Sequence, residues 1–188
     1  MTVVALASLS CTSQSTGHQN QVTNLTTPGN LQSNYKIGCI KVAAVKNVFS
    51  PADLYKGVAD CIDKGDVKNG VSLYALAGVY GRFDTMRVAD KTAHQALLAL
   101  QMGAIDPLPE EKKQLLTKEV QLVFHDKVKI NEICTAIRAL GPPAYKPNYM
   151  IQHGMGAFMG SSDKNALVAD FDPKVSWDNA LSGYLHCP

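Results

Sequence analysis

Long apolar runs and clusters of basic residues are both absent from this sequence. No stretch of the chain approaches the roughly 18 consecutive apolar residues that a membrane-spanning helix needs. Lysine and arginine are scattered and the formal net charge is only +2, so the chain lacks the positive stripe that follows a nucleic-acid backbone. We therefore expect a soluble folded part with no nucleic-acid partner. With 188 residues, of which 46% are hydrophobic, the chain suits one domain with a buried core.

The motifs of the commonest hydrolases and zinc proteins are also missing. The sequence contains no G-x-S-x-G, no H-E-x-x-H and no C-x-x-C. "HDKVKINE" places His125, Lys127 and Glu132 at the spacing of the phospholipase D motif H-x-K-x4-D, with Glu in place of Asp. That chemistry needs two copies, one for nucleophilic attack and one for protonation of the leaving group, and the sequence has one. We predict no catalytic residue, no metal ligand and no cofactor, and hence a protein that is not an enzyme.

One stretch keeps an enzymatic alternative open. "YMIQHGMGAFMG", residues 149–160, has a G-x-G pattern at Gly154 and Gly156, but Met159 stands where a dinucleotide fingerprint needs its third glycine. His153 has no adjacent nucleophile. A hydrolase would therefore have to combine this histidine with a distant acid, such as Asp170 or Asp172.

Methionine and aromatic residues in this Gly-rich stretch favour a contact surface instead. These residue types are enriched at the centres of protein interfaces, and flexible methionines adapt to a partner. The candidate contact residues between the last two long helices are Tyr145, Tyr149, Met150, His153, Met155, Phe158 and Met159. A second group, at a predicted turn, is Tyr80, Arg82 and Phe83. The alternative is that these side chains merely cover the end of a helical bundle.

Charge is missing from the N-terminal part of the chain, where no Lys, Arg, Asp or Glu precedes Lys36. "MTVVALASLSC" resembles the end of a signal peptide, with Ala5 and Ala7 in a cleavage pattern. Cys11 is a candidate for lipidation, as in bacterial lipoproteins. We predict a signal remnant at 1–11, a disordered polar tether at 12–34, which has too little apolar content to order itself, and a folded domain at 35–188.

Four cysteines lie in the predicted domain: Cys39, Cys61, Cys134 and Cys187. An even count behind an export-like N-terminus predicts two disulfides, and four cysteines allow three pairings. The alternative is that Cys61 and Cys134, on apolar helix faces, are reduced core residues. Disulfides favour a periplasmic or secreted location.

The remaining pattern predicts an all-α fold, a single compact bundle of about six helices. The first helix, about 51–64, has Ser50 and Asp53 close to a capping box. The others are the apolar run at 67–80, a third helix capped by Asp84 and reaching about Met102, a fourth starting at Glu110, a fifth capped by Asp126 and stopped at 141–143, and a last one starting at Asp172 and Pro173. "IGCIKVAAV", residues 37–45, is the one candidate strand.

Three stretches, "SLYALAGVYGRFDTMRVADKTAHQA", "RALGPPAYKPNYMIQHGMGAF" and "YLHCP", resemble a family of small exported bacterial proteins. This family is associated with immunity to antibacterial effectors of the type VI secretion system, in particular phospholipases. The resemblance, over about residues 50–188, implies a periplasmic inhibitor that binds an effector and blocks its active site or its activation. An envelope-structural lipoprotein tethered through Cys11 is the competing hypothesis.

A second, local resemblance concerns the second and third predicted helices, joined by "GRFD" at 81–84. Together they resemble a helical hairpin of the Sel1 or tetratricopeptide type, in which the small residues Ala75, Ala77 and Gly78 allow close approach. We find no second copy at a fixed period, so the sequence does not predict a repeat array.

Overall fold

A computed structural model describes residues 27–160 and 165–188, and in these residues the chain is a helical bundle without strands. The eight α-helices are α1 (Pro51–Asp63), α2 (Val67–Arg87), α3 (Ala96–Ile105), α4 (Glu110–His125), α5 (Lys127–Leu140), α6 (Asn148–Ile151), α7 (Met155–Phe158) and α8 (Pro173–Leu185). A 3-10 helix, Val42–Ala44, precedes α1, and another, Lys91–Gln95, connects α2 to α3. None of these helices is long and apolar enough to cross a membrane. The predicted fold class is confirmed.

Carboxylate side chains that accept hydrogen bonds from nearby backbone N–H groups mark the starts of three of the predicted helices. At α1, the Ser50 N–H donates to Asp53 Oδ2 over 2.7 Å, which completes the predicted capping box. At α5, Asp126 accepts from the N–H groups of Val128 and Lys129. Asp172 does the same at α8. The caps work because each satisfies backbone donors that the helix itself leaves unpaired.

Helix α2 lies at the centre of the bundle and packs chiefly against α1 and α8. Leu73, Leu76 and Val79 are fully buried along it. Gly78 lets the Tyr184 ring of α8 lie directly on the helix, since a Cβ there would be 2.0 Å from Tyr184 Cζ. The sequence predicted that Gly78 allows close approach of the second and third helices, whereas in the structure the side chain that lies against Gly78 belongs to α8.

The third predicted helix starts in the wrong place, because α2 does not end at "GRFD". Residues 81–84 are helical and α2 continues to Arg87. Asp84 is therefore not a cap: it is a fully buried residue inside the helix. The chain turns later, through the 3-10 helix Lys91–Gln95, which Asp90 caps by accepting from the Thr92 N–H.

Two disulfides join distant parts of the chain, and they select one of the three possible pairings. Cys39 is bonded to Cys61 of α1, and Cys134 of α5 is bonded to Cys187 after α8. Three of these residues are buried and Cys39 is half-buried. The alternative of reduced core cysteines is thereby excluded in this structure. Disulfides are consistent with an oxidising compartment.

The N-terminal boundary of the folded part lies earlier than predicted. The N–H groups of Asn34 and Tyr35 donate to Asp53 Oδ1 at 2.7 and 2.8 Å, and the Leu31 N–H donates to the Tyr149 carbonyl. Residues 27–34 are therefore part of the domain, because a buried carboxylate and a distant carbonyl satisfy their backbone. Residues 37–45, the candidate strand, form no strand, and part of this stretch is the 3-10 helix Val42–Ala44. The predicted signal remnant with Cys11, and residues 12–26 of the predicted tether, lie outside the described residues.

Candidate contact surface

Four of the predicted contact residues are not on the surface. Tyr80 and Met150 are 0% exposed, Phe83 is 2% exposed and Tyr149 is 3% exposed. Tyr80 donates its hydroxyl hydrogen to the Gly141 carbonyl over 3.0 Å. The prediction that these four side chains meet a partner is wrong, because each one packs in the core of the bundle. Only Arg82 of the second predicted group is exposed.

A buried carboxyl group, that of Asp84, binds the hydroxyl groups of two of the predicted contact tyrosines. Asp84 Oδ2 accepts hydrogen bonds from the hydroxyls of Tyr145, at 2.9 Å, and Tyr149, at 2.7 Å. Its other oxygen accepts from Arg87 Nε at 2.8 Å. The Arg87 guanidinium carbon lies 5.2 Å from the ring centres of both Phe83 and Tyr145, a cation–π arrangement. The segment from Tyr145 to Tyr149 is thus hydrogen-bonded to Asp84 of α2, and both oxygens of this carboxyl group accept hydrogen bonds.

Burial governs the protonation of this cluster. Burial raises the pKa of Asp84, while Arg87 and the two tyrosine hydroxyls act in the opposite direction. Burial, together with the neighbouring Asp84, raises the pKa values of Tyr145 and Tyr149 well above the ordinary value. Both tyrosines therefore stay protonated donors. No short-range pattern links Asp84 to residues 61 and 65 positions later, so sequence reasoning missed this cluster.

The exposed part of the predicted surface is one short helix. Met155, Phe158 and Met159, at or just after α7, are 54%, 51% and 76% exposed. The spacing i, i+3, i+4 places these side chains on one side of the helical turn; we call this set the α7 face. Such large apolar side chains grouped in the open mark contact sites in soluble proteins.

The α7 face is held in place by two residues that the sequence analysis did not single out. Asp90 Oδ2 accepts from the Gly156 N–H, and Thr92 Oγ1 accepts from the Met155 N–H, each at 2.9 Å. Thr92 in turn donates to Asp90 Oδ1 over 2.6 Å. Gly154 is needed here because a Cβ would lie 2.4 Å from Asp90 Oδ2. The glycine in this stretch therefore serves close packing against Asp90.

Hydrogen bonds from the Thr92 side chain and the Gly156 backbone hold the pKa of Asp90 below its ordinary value. Asp90 is consequently a carboxylate at neutral pH, with both oxygens engaged. The only nearby sequence signal was "VADKTA", in which an Asp followed two residues later by a Thr is a common local turn pattern.

Three histidines of the domain each lie within hydrogen-bond distance of a backbone carbonyl or an amide side chain. His153 is half-buried, and its Nδ1 lies 2.9 Å from Asn30 Oδ1. His94 Nε2 lies 3.0 Å from the Val88 carbonyl. His125 is the last residue of α4 and contacts the Gln121 carbonyl, so the H-x-K stretch crosses a helix junction. Among the described residues, no three His, Cys, Asp or Glu side chains are grouped so that they could hold a metal ion.

A recess lies between α2, α4 and α5. It has a volume of about 590 Å³, with Val71, Val123 and Ile133 among its apolar lining residues. Lys68, Glu119 and Glu132 also line it. The recess is separate from the α7 face in its residues, and it mixes both signs of charge.

Taken by its chemistry, the α7 face can bind a complementary apolar surface. Nothing in its described geometry places a nucleophile beside a base. No known protein family, curated protein or solved structure matches this chain.

Proposed function

We propose that this chain is an exported immunity protein that binds and neutralises an antibacterial effector of the type VI secretion system, of the phospholipase class. The α7 face carries the proposal: three exposed apolar side chains on a fixed turn form a surface suited to the centre of a protein interface. The class of effector rests on the sequence resemblance alone.

The build of the domain supports this function. A contact turn held by Asp90 and Thr92 from one side loses little conformational freedom when a partner binds, and such preorganisation favours affinity. Two disulfides suit a protein that acts in an oxidising compartment such as the periplasm, the compartment to which the proposed effectors are delivered. An immunity protein of this kind acts by occupying the effector and needs no catalytic group of its own.

The test is capture of the effector by the full chain, followed by an enzyme assay. Tagged full-length protein is used to capture proteins from the secreted fraction of the parent bacterium, and the captured protein is assayed on phosphatidylethanolamine vesicles with and without added chain. The interface variant is Phe158→Ala with Met159→Ala. Its matched control is Leu122→Ala with Val128→Ala, which removes two exposed apolar side chains from α4 and α5. Tyr149 is unsuitable for this test because it is buried.

We expect the wild type and the control to capture a phospholipase and to inhibit it in proportion to the amount added. The interface variant should bind at least about 2 kcal/mol more weakly, roughly thirtyfold in Kd. Circular dichroism checks that each variant is folded. A captured phospholipase that keeps full activity would contradict the proposal, and so would a failure of the folded wild type to capture any effector.

A further inference from the structure

Acidic residues are absent from the stretch that carries the α7 face. No Asp or Glu occurs between Glu132 and Asp163, whereas Arg138 and Lys146 lie in that interval. The described residues before α1 show the same bias, because residues 27–50 contain Lys36, Lys41 and Lys46 and no acid. These two stretches contact each other: the Ala144 N–H donates to the Asn47 carbonyl.

Three carboxylates accept hydrogen bonds from these stretches, and their oxygens are occupied: Asp53, Asp84 and Asp90. Asp84 and Asp53 are 0% exposed, and their oxygens accept hydrogen bonds from tyrosines, Arg87, Ser50 and the backbone of residues 34 and 35. Asp90 uses both oxygens on Thr92 and Gly156. None of the three presents a free carboxylate beside the α7 face.

The lysines of the same region face outward. Lys91 and Lys146 are exposed, and neither pairs with a carboxylate among the described residues. Lys91 adjoins Thr92, whose hydroxyl contacts the Met155 N–H, so this lysine lies next to the start of α7. Lys146 lies just before α6, nine residues from Met155.

These lysines are close enough to share one interface with the α7 face. Nine residues span at most about 30 Å when fully extended, and the helical turn of α6 shortens that reach. A standard interface covers about 800 Å² on each partner, a patch roughly 30 Å across. An apolar centre with a cationic border therefore fits within one ordinary contact area.

We propose that the partner of the α7 face is a protein surface with an apolar pocket bordered by carboxylates. Lys91 and Lys146 attract these carboxylates and thereby orient the partner as it binds. The inference rests on the proposed function and specifies the effector surface that is covered. Complementary charge of this kind acts mainly by raising the association rate, and salt weakens it. A protein partner suits the α7 face better than an anionic membrane, because one helical turn offers far less apolar area than the amphipathic helices that bind membranes.

The test compares two pairs of charge reversals in the full chain. The border variant is Lys91→Glu with Lys146→Glu, and the matched control is Lys118→Glu with Lys127→Glu, two exposed lysines on α4 and α5. Association and dissociation rates are measured by surface plasmon resonance with the captured effector, from about 50 to about 300 mM NaCl. Binding to vesicles of phosphatidylethanolamine and phosphatidylglycerol, mixed at about 7:3, is measured in parallel to test for a membrane partner.

We expect the wild-type association rate to fall as salt rises, and the border variant to associate at least about tenfold more slowly at the lowest salt, with a flatter salt dependence and little change in dissociation. The control should match wild type. If the border variant associates like wild type while the Phe158 and Met159 variant binds weakly, the acidic border is refuted and the immunity function stands. Vesicle binding that the border variant loses would assign these lysines to lipid instead. If the wild type captures no effector, both proposals fail.

Discussion

Tyr149 donates a hydrogen bond to Asp84 over 2.7 Å, although 65 residues separate them in the chain. Replacing Tyr149 by Phe removes this donor and keeps the ring, so Asp84 loses one of the partners that satisfy its buried charge. We expect a loss of about 1–3 kcal/mol in the free energy of unfolding, measured by urea denaturation. The control is Tyr35→Phe, at an exposed ring that packs on Phe49. Equal stability of the two variants would contradict this account of Asp84.

Gly78 and Gly183 provide a matched pair for testing the contact between α2 and α8. A Cβ at Gly78 would lie 2.0 Å from Tyr184 Cζ, whereas a Cβ at Gly183 meets nothing within 4 Å. Gly78→Ala should destabilise the protein by about 1–3 kcal/mol, because the Tyr184 ring must move. Gly183→Ala should stabilise it by about 0.5–1 kcal/mol, through a smaller loss of backbone entropy. Thermal unfolding measures the change in stability of both variants. If Gly78→Ala stabilised the protein, α8 would not lie on α2 as described.

The two disulfides should differ modestly in their contribution to stability. Cys134 and Cys187 are 53 residues apart, and Cys39 and Cys61 are 22 apart. Chain-entropy arguments assign about 4 kcal/mol to the longer loop and about 3 kcal/mol to the shorter one. Paired Cys→Ala variants, compared by urea denaturation without reductant, should therefore both lose stability, with the larger loss for the Cys134 and Cys187 pair. Wild type in dithiothreitol should be less stable than either variant.

The lowered pKa of Asp90 predicts how acid affects α7. A carboxylate whose pKa is lowered by folding stabilises the fold above its unfolded-state pKa of about 4, and this contribution disappears as the pH falls through the lower folded-state value. The Gly156 N–H should therefore be protected from hydrogen exchange at about pH 6 and lose protection as the pH falls below about 4, after correction for intrinsic rates. In Asp90→Asn, protection should be weaker and should change little with pH.

The backbone N–H of Gln152 provides an internal reference in the same hydrogen-exchange experiment. The Gln152 N–H donates to the Asn148 carbonyl within a backbone-only contact. Its protection should not follow the Asp90 titration. Parallel loss at both amides would indicate general acid unfolding, and would remove the support for a specific contact between Asp90 and α7.

Local signals predicted the helices well where the deciding contacts are themselves local. The carboxylates of Asp53, Asp126 and Asp172 each accept from a backbone N–H two or three residues away, and all three helix starts are confirmed. Asp84 is also an aspartate, and it follows a glycine-containing stretch, but the groups that bind it are the hydroxyls of Tyr145 and Tyr149. A residue that could cap a helix and one that anchors a distant segment look alike in the sequence, so the third predicted helix started too early.

The predicted contact residues prove to be partly buried and partly exposed for a similar reason. Residue type alone predicted contacts for Tyr149 and Phe158 alike, since both suit interfaces. Burial separates them: Tyr149 reaches the carboxylate of α2, and Phe158 points away from the bundle, with 51% of its surface exposed. The pattern that holds the α7 face, Asp90 with Thr92, lies more than 60 residues from it in the chain. Only a structure brings these groups together.

The two disulfides follow one another along the chain and do not interlock: one closes 39–61 and the other closes 134–187. A single protease cut inside either loop leaves one covalent molecule that separates only after reduction. A single cut between residues 62 and 133 yields two fragments with no sulfur link between them. Gel electrophoresis with and without reductant after limited digestion therefore shows, by the number of bands, whether a cut lies inside a disulfide loop or outside both loops.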